Sequence, residues 1–332
     1  IPVTSGAYTK ITFLGTTGIG FQFSDTTNPT TAWRSSYSRI EGFFLEGGGA
    51  VDGNGKWVSG GVPTAINYSR GMVIKDVGVR HFASHGIIQE DNCDVPSGSM
   101  DDVSVGFCGG HGLWIRPGSS TIMRFTGCQF DGNRGYGMNI EGGSGISFQN
   151  VTTQANDRGG TKISYRAGST FKPSHLYFLK LYTEGNGLLD GGDPNFEGNY
   201  ALYVTSDDAG ANANCPNNLI FDDCSINKSA GGKSINLDRV AMVQFRGTDL
   251  ESMTIGVDFI IGANTYAMTS SGYHFFPTNA SVGANHFTPT RQLAGTLNGF
   301  EVMGAWFPRR GRLRCLEFFV NDQAANTVAL ME

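Results

Sequence analysis

Charge is scarce in this chain. Only 16% of its 332 residues are Asp, Glu, Lys or Arg, and the formal net charge is −5. The 24 Lys and Arg are dispersed rather than gathered into a patch, which argues against nucleic acid as a partner. No apolar run approaches ~18 residues, so a membrane-spanning helix is excluded and no membrane insertion is expected. Cysteine is sparse as well, at 93, 108, 128, 215, 224 and 315, with no C-x-x-C pair. Zinc-finger spacing is therefore absent, and a disulfide framework is not expected in a chain this long. Also missing is any long segment with apolar residues at i, i+3, i+4 and i+7, so helix should be minor. The opening "IPVTSGAYTK" carries neither Met nor an apolar signal core, and reads as a mature product or a fragment.

What the chain does have is glycine, 48 of them, with many Asn, Ser and Thr. That mixture favours short strands joined by many turns. The strands repeat. "MVIKDVGVR" (72–80), "IMRFTGCQFD" (122–131), "ISFQNVTTQ" (146–154), "LYFLKLYTE" (176–184), "LIFDDCSIN" (219–227) and "VQFRGTDLE" (243–251) share one template. Two apolar residues spaced by two are followed by a three-residue step, then apolar, any, apolar, polar. With "IEGFFLE" (40–46), the final polar position falls at Glu46, Arg80, Gly106, Asp131, Gln154, Glu184, Asn227 and Glu251. The intervals are 34, 26, 25, 23, 30, 43 and 24 residues. A second strand follows in each repeat after a recurring turn, at "SHGII" (84–88), "GHGLW" (110–114), "GYGMN" (135–139) and "GTKIS" (160–164). A unit of this length with two or three one-sided strands predicts a β-solenoid whose rungs stack ~4.8 Å apart. Cys128 and Cys224 sit at inward positions and read as core thiols. The repeat fades after about Ser270. The expected organisation is a solenoid over 1–270, a connector over 271–310, and over 311–332 the start of an incomplete C-terminal β-module.

The stretch "GGGAVDGNGKWVSGG" (47–61) resembles the opening rung of the pectin-lyase-like right-handed parallel β-helix superfamily, with its G-G-x-hydrophobic-D-G-x-G-x-x-W turn. "CGGHGLWIRPG" (108–118) is similar to the polygalacturonase segment that carries a His-Gly pair, and "YTEGNG" (182–187) resembles rungs of bacteriophage tailspikes. The resemblance covers roughly residues 8–270 and implies an all-β fold, a right-handed parallel β-helix. It further implies a homotrimer at the virion tail, in the extracellular space, whose partner is a bacterial surface polysaccharide. Polygalacturonase-type sites carry paired aspartates one rung before the His-Gly and Arg-x-Lys one rung after. Here those places hold Ser84-His85 and Gly137-Met138-Asn139, so that catalytic set is not reproduced. Within the opening stretch, Asp52, Gly53 and Gly55 fit a tight turn, and Trp57 is expected to cover the first coils.

Stacking turns sequence columns into spatial neighbours. Asp131 and Glu184 fall two rungs apart in the outward column, ~9–10 Å along the axis, with Gln154 between them. That approaches the spacing of an inverting glycosidase, in which one carboxyl is the acid and the other activates water. A second column, Glu90, Arg116, Glu141 and Arg166 at intervals of 26, 25 and 25, predicts an alternating-sign stack. Trp114 lies two residues before Arg116 with Asn139 one rung above. This is a surface suited to a sugar ring and an acidic substituent, with Tyr203 counted among the contacts. Glu141 joins the catalytic candidates, and so does His111, a possible base at a turn like His85. Arg158, Lys162, Arg166 and Lys172 would serve a lyase by neutralising a uronate. No metal-ligand spacing stands out and no cofactor is expected. "GTTGIG" (15–20) lacks the Lys-Ser/Thr of a phosphate loop. The expected function is a tailspike-like depolymerase acting by hydrolysis or β-elimination. The alternatives are a secreted bacterial polysaccharide lyase or hydrolase, or a glycan-binding tail protein without catalysis.

Overall fold

The computed structural model describes residues 9–23, 38–69, 71–95, 97–187, 200–208, 214–227 and 233–248, and short strands from Phe259 onward. Among the described residues there are strands and turns and no helix. The coils form a parallel β-helix with three faces. Face A is built from strands such as Met123–Thr126, Ser147–Gln149, Ser174–Leu179 and Asn217–Asp222. Face B contains Phe43–Glu46, Gln129–Asp131, Thr152–Gln154 and Tyr182–Glu184. Both belong to one large sheet, because Met72–Arg80 and Gly98–Gly106 run through both faces without a break. Face C is a separate nine-stranded parallel sheet that includes His85–Gln89, Leu113–Ile115, Tyr136–Ile140, Gly159–Tyr165 and Tyr200–Ser206.

One residue with positive φ makes each corner. Between faces A and B it is Gly42, Asp76, Asp102, Gly127, Asn150, Lys180, Asp223 and Gly247 in successive coils. These lie 34, 26, 25, 23, 30, 43 and 24 residues apart, the same intervals read from the apolar template. Between B and C the corner residues are His81, Phe107, Gly132, Ala155 and Gly185. Between C and A they include Ile122, Gly145, His175 and Asn218. The left-handed conformation is cheap for Gly and tolerable for Asn and Asp. A branched Ile or a bulky Phe holds it only because the strands on either side are already fixed.

Inside, equivalent residues stack. Phe125, Phe148, Phe178, Phe221 and Phe245 form a continuous pile behind face A, with ring centroids 4.6–5.2 Å apart and nearly parallel planes. Cys128 and Cys224 are buried, and desolvation pushes their thiols up to about 12 and about 11. At the B–C corner three buried asparagines stack next to the positive-φ residues. The Oδ1 of Asn133, Asn156 and Asn186 accepts the backbone N–H of Cys108, Asn133 and Asn156 in turn (3.1, 3.0 and 3.1 Å). Their Nδ2 groups donate to Val105, Phe130 and Thr153 carbonyls, and to the next Asn. The corner N–H groups of Cys108, Asn133 and Asn156 are thereby each satisfied by a side chain of the next coil.

Beyond residue 270 only isolated strands are described, among them an antiparallel set of Glu301–Val302, Glu317–Val320 and Val328–Met331. Cys315, Glu251 and the segment "DGGDPN" (190–195) lie outside the described residues. Replacing Asn156 by Ala would take the acceptor from Asn133 N–H and from a proton of Asn133 Nδ2, remove the side-chain donor to the Phe130 carbonyl, and leave Asn186 Oδ1 with only the backbone N–H of residue 156. The expected cost is roughly 2–4 kcal/mol, read as a fall of ~5–10 °C in Tm by thermal unfolding.

Candidate functional site

The outward column of face B runs Glu46, Arg80, Gly106, Asp131, Gln154, Glu184 in direct parallel register. Alternation places it there: Leu45, Val79, Val105, Phe130, Thr153 and Thr183 take the interior positions. Gly106 leaves a gap in the column, and Arg80 fills it. A Cβ on Gly106 would overlap Arg80 Nη1, and would also stand 2.6 Å from the Asp131 carbonyl oxygen. The guanidinium is held by a hydrogen bond from Nη2 to Ser104 Oγ (3.0 Å) and lies 5.1 Å over the Phe107 ring. Burial lifts the Asp131 carboxyl to about 6, against the opposing pull of Arg80 and of hydrogen bonds from the Gln154 backbone and the Gln129 side chain. Asp131 Oδ1 and Arg80 Nη1 are both buried without a hydrogen-bond partner among the described residues. Glu184 is exposed and accepts from Gln154 Nε2 (3.2 Å) and Tyr182 Oη (2.8 Å).

The outward column of face C reads Asn67, Ile88, Trp114, Asn139, Lys162, Tyr203, Asn236. Beside it stack His85, His111 and Tyr136, with ring centroids 5.0 and 5.6 Å apart. Each histidine Nδ1 accepts a backbone N–H from the coil above, His85 from His111 and His111 from Tyr136, at 2.9 Å. Both rings are thus neutral with the proton on Nε2. Desolvation holds them so, with His85 lowered to about 4 and further depressed by Arg116, and His111 lowered well below its ordinary value. What His111 offers a ligand is an N–H donor at Nε2. Trp114 packs against both imidazoles at 4.9 and 5.4 Å, and the Arg116 guanidinium lies 4.3 Å from its ring. Lys162 Nζ stands between the Tyr136 and Tyr203 rings, at 5.9 and 5.6 Å. Trp114 Nε1, Arg116 Nε and Asn139 Oδ1 have no hydrogen-bond partner among the described residues.

The expected charge stack departs from the register. Ile140 pairs with Ile163, so the residue beside Glu141 is Ser164, and Arg166 lies two positions farther on. The rung is 23 residues long here, not 25. Arg166 still folds back to ion-pair with Glu141, and with Asp91 at 2.9 Å. Arg116 also pairs with Asp91, at 3.5 Å, while Glu90 accepts from Asn67 Nδ2. Asp91, absent from the sequence reading, is therefore the carboxylate that joins the two arginines. It follows the end of a strand, where stacking no longer dictates position.

The opening turn is architectural. Asp52 Oδ1 accepts the N–H groups of Asn54 and Lys56 (2.9 Å each), Gly55 has φ 77°, and Ala50–Val51 pairs with Trp57–Ser59. The Trp57 ring covers Gly49 and Gly109, where a Cβ would overlap or crowd it. Its indole N–H donates to the Gly60 carbonyl (2.9 Å). Lys56 Nζ reaches Asp157 at 2.7 Å, so the hairpin lies along the axis across several coils.

A family described as right handed beta helix region matches residues 60–250. The chain belongs to the right-handed β-helix family. Nothing matches it among curated proteins or among solved structures. All nine residues singled out from the sequence fall within the matched β-helix coils. The β-helix divides them between two faces: Asp131 and Glu184 lie on B, and His111, Trp114, Arg116, Asn139, Glu141, Arg166 and Tyr203 on or beside C. The asparagine corner separates the two groups. Among the described residues no three His, Cys, Asp or Glu side chains converge where a metal ion could sit. Arg80 stands in the column read from the sequence without a role there, and the structure sets its guanidinium in the slot at Gly106.

The titrations have opposite signs. His85 and His111 bind a proton in the unfolded chain near pH ~6.5 but resist it when folded. Their contribution is full above that pH and is lost as pH falls below it, for His85 down to about 4. Asp131, raised from 3.8 to about 6, contributes stability that is full below 3.8 and lost as pH rises through 6. Thermal melts between pH 7.5 and 4 should therefore show a smaller acid loss in His85→Gln than in wild type. In Asp131→Asn the acid loss should be larger, because the opposing group is gone.

Proposed function

We propose that this β-helix binds and cleaves a bacterial surface polysaccharide by hydrolysis, as a tailspike-like depolymerase acting as a homotrimer at the virion tail. The observation that carries the reading is the Asp131 carboxyl, half buried on an outward face and lifted to about 6, two rungs from the exposed Glu184. A carboxyl that keeps its proton near neutral pH is suited to general acid catalysis. Asp131 would give its proton to the glycosidic oxygen as the C–O bond breaks. Glu184 would take a proton from the water that attacks the anomeric carbon on the opposite side. Two rungs of ~4.8 Å put the backbones near the upper end of the spacing that accommodates this water, so the expected outcome is inversion. Face C would supply a surface for glycan contact, where Trp114 stacks on a sugar and Arg116 donates hydrogen bonds. The "YTEGNG" rung supports the tailspike assignment, and membership of the right-handed β-helix family supports a polysaccharide as the substrate class.

A second reading, glycan attachment without cleavage, is favoured by the aromatic and cationic density of face C alone. Incubation with capsular, O-antigen and exopolysaccharide preparations separates the two. Hydrolysis releases new reducing ends without the ultraviolet absorbance of an unsaturated uronate, and a lyase gives both. Attachment gives neither, with binding retained. Asp131→Asn and Glu184→Gln should each lower the hydrolytic rate ~10²–10⁴-fold, and wild-type activity should decline as pH rises through about 6. Full activity in either variant overturns the two-carboxylate mechanism. Trp114→Ala should weaken glycan retention about tenfold or more, the scale of a lost aromatic platform, while leaving the pH profile in place. Light scattering of the full-length protein should give a trimer, and a monomer would favour a secreted enzyme.

A further inference from the structure

Arg80 occupies an unusual place on face B. Its coil lies two below that of Asp131, and in an ordinary parallel column the intervening residue would hold the two side chains apart. Here that residue is Gly106, and the space its side chain would fill is taken by the Arg80 guanidinium. Two contacts fix the guanidinium there, the Ser104 hydroxyl on Nη2 and the Phe107 ring beneath, and the absence of any Cβ at 106 gives it room. Phe107 is itself a corner residue with φ 54°, so the ring that supports Arg80 is set by the backbone of the same rung. The result is a buried cationic nitrogen and a buried carboxylate oxygen on the same short column, neither with a hydrogen-bond partner among the described residues. Leaving both polar atoms unpaired has a cost in folding free energy. An arrangement that retains them fits a carboxyl that must change its protonation during a reaction better than one that only stabilises the coil.

We propose that Arg80, seated in the slot left by Gly106, is the positioning residue of the face B site, setting its charge on the column beneath Asp131 and governing when that carboxyl releases its proton. This rests on the hydrolytic reading of Asp131. Arg80 does not touch the sugar, since its head lies beneath the outer surface. Its charge opposes the burial that raises the Asp131 carboxyl. Around the pair the charged and titratable neighbours are few. Glu46 and Cys108 face Arg80 from below and from the corner, and Gln129 and the Gln154 backbone bond to Asp131. Glu184 stands two coils above, tied to Gln154 and Tyr182. Among the described residues Arg80 is the cation set against Asp131, and its removal should act through that carboxyl.

The test reads Asp131 directly, in the full chain and without any glycan. Carboxyl carbon NMR gives its titration midpoint in wild type, Arg80→Met, Arg80→Gln and Arg80→Lys. Loss of the charge should raise the midpoint by roughly one pH unit, and Lys should restore most of the shift. In wild type the Arg80 side-chain nitrogen signals should move with the same midpoint as Asp131, a coupling that needs no substitution. The alkaline limb of the pH–rate profile should rise together with the midpoint, kcat should fall, and KM should hold. An Asp131 midpoint unchanged in a folded uncharged variant overturns the proposal, and so do Arg80 signals that ignore the Asp131 titration. A variant with lowered Tm but an unmoved pH profile would assign Arg80 to the coil alone and also overturn it. Failure of the hydrolytic reading looks different: Asp131→Asn would stay active while the Arg80–Asp131 titration remained coupled.

Discussion

Parallel backbone hydrogen bonding at a single register governs this molecule. Once a strand pairs with its equivalent one coil below, every side chain stands ~4.8 Å above its counterpart, and columns of chemistry follow from one-dimensional sequence. Inside, this gives the phenylalanine pile behind face A and the asparagine stack at the B–C corner. Outside, it imposes a restriction, because like charges in adjacent coils would repel at close range. The outward column of face B obeys it. Glu46 is followed by Arg80, and Asp131 is separated from Glu184 by the neutral Gln154. The corners make the register possible, since a single left-handed residue turns the chain without an insertion that would throw the next coil out of phase.

The same geometry creates two quite different surfaces. Face B has a sparse column in which one vacancy, at Gly106, lets a long cation lie flat against the coil. Face C is crowded: imidazole, indole and phenol rings lie side by side with Lys162 and Arg116 among them. Desolvation acts on both but with opposite consequences. On face C it keeps imidazoles neutral, so their Nδ1 atoms can cap backbone amides of the next coil. On face B it keeps a carboxyl protonated further towards neutrality, which is a chemical rather than a structural asset.

The coil count, the inward positions and the Asp131–Gln154–Glu184 column were all legible in the sequence, because each depends only on spacing. The corner intervals match the apolar template throughout. Arg166 shows where spacing was misapplied. The template itself shortens to 23 residues between Asp131 and Gln154, so a 25-residue step from Glu141 to Arg166 overshoots the neighbour, which is Ser164. Asp91 was out of reach for another reason, since it lies past a strand end and its partners are set by the loop path. Arg80 illustrates a third limit. A glycine in an outward column reads as a loose spot in the strand, whereas its role is steric, and only the neighbour's conformation reveals it.

The hairpin at 47–61 carries a mechanical consequence. A solenoid in which each coil touches only its neighbours frays from its ends, coil by coil. Here the Trp57 ring lies against Gly109, and Lys56 grips Asp157, 101 residues away in the chain. The coils between them are bound by a crosspiece running along the axis, and peeling the first coil must also dislodge a clasp on a later one. The amino-terminal part of the rod is thus coupled into one cooperative block that gives way together rather than unravelling in steps.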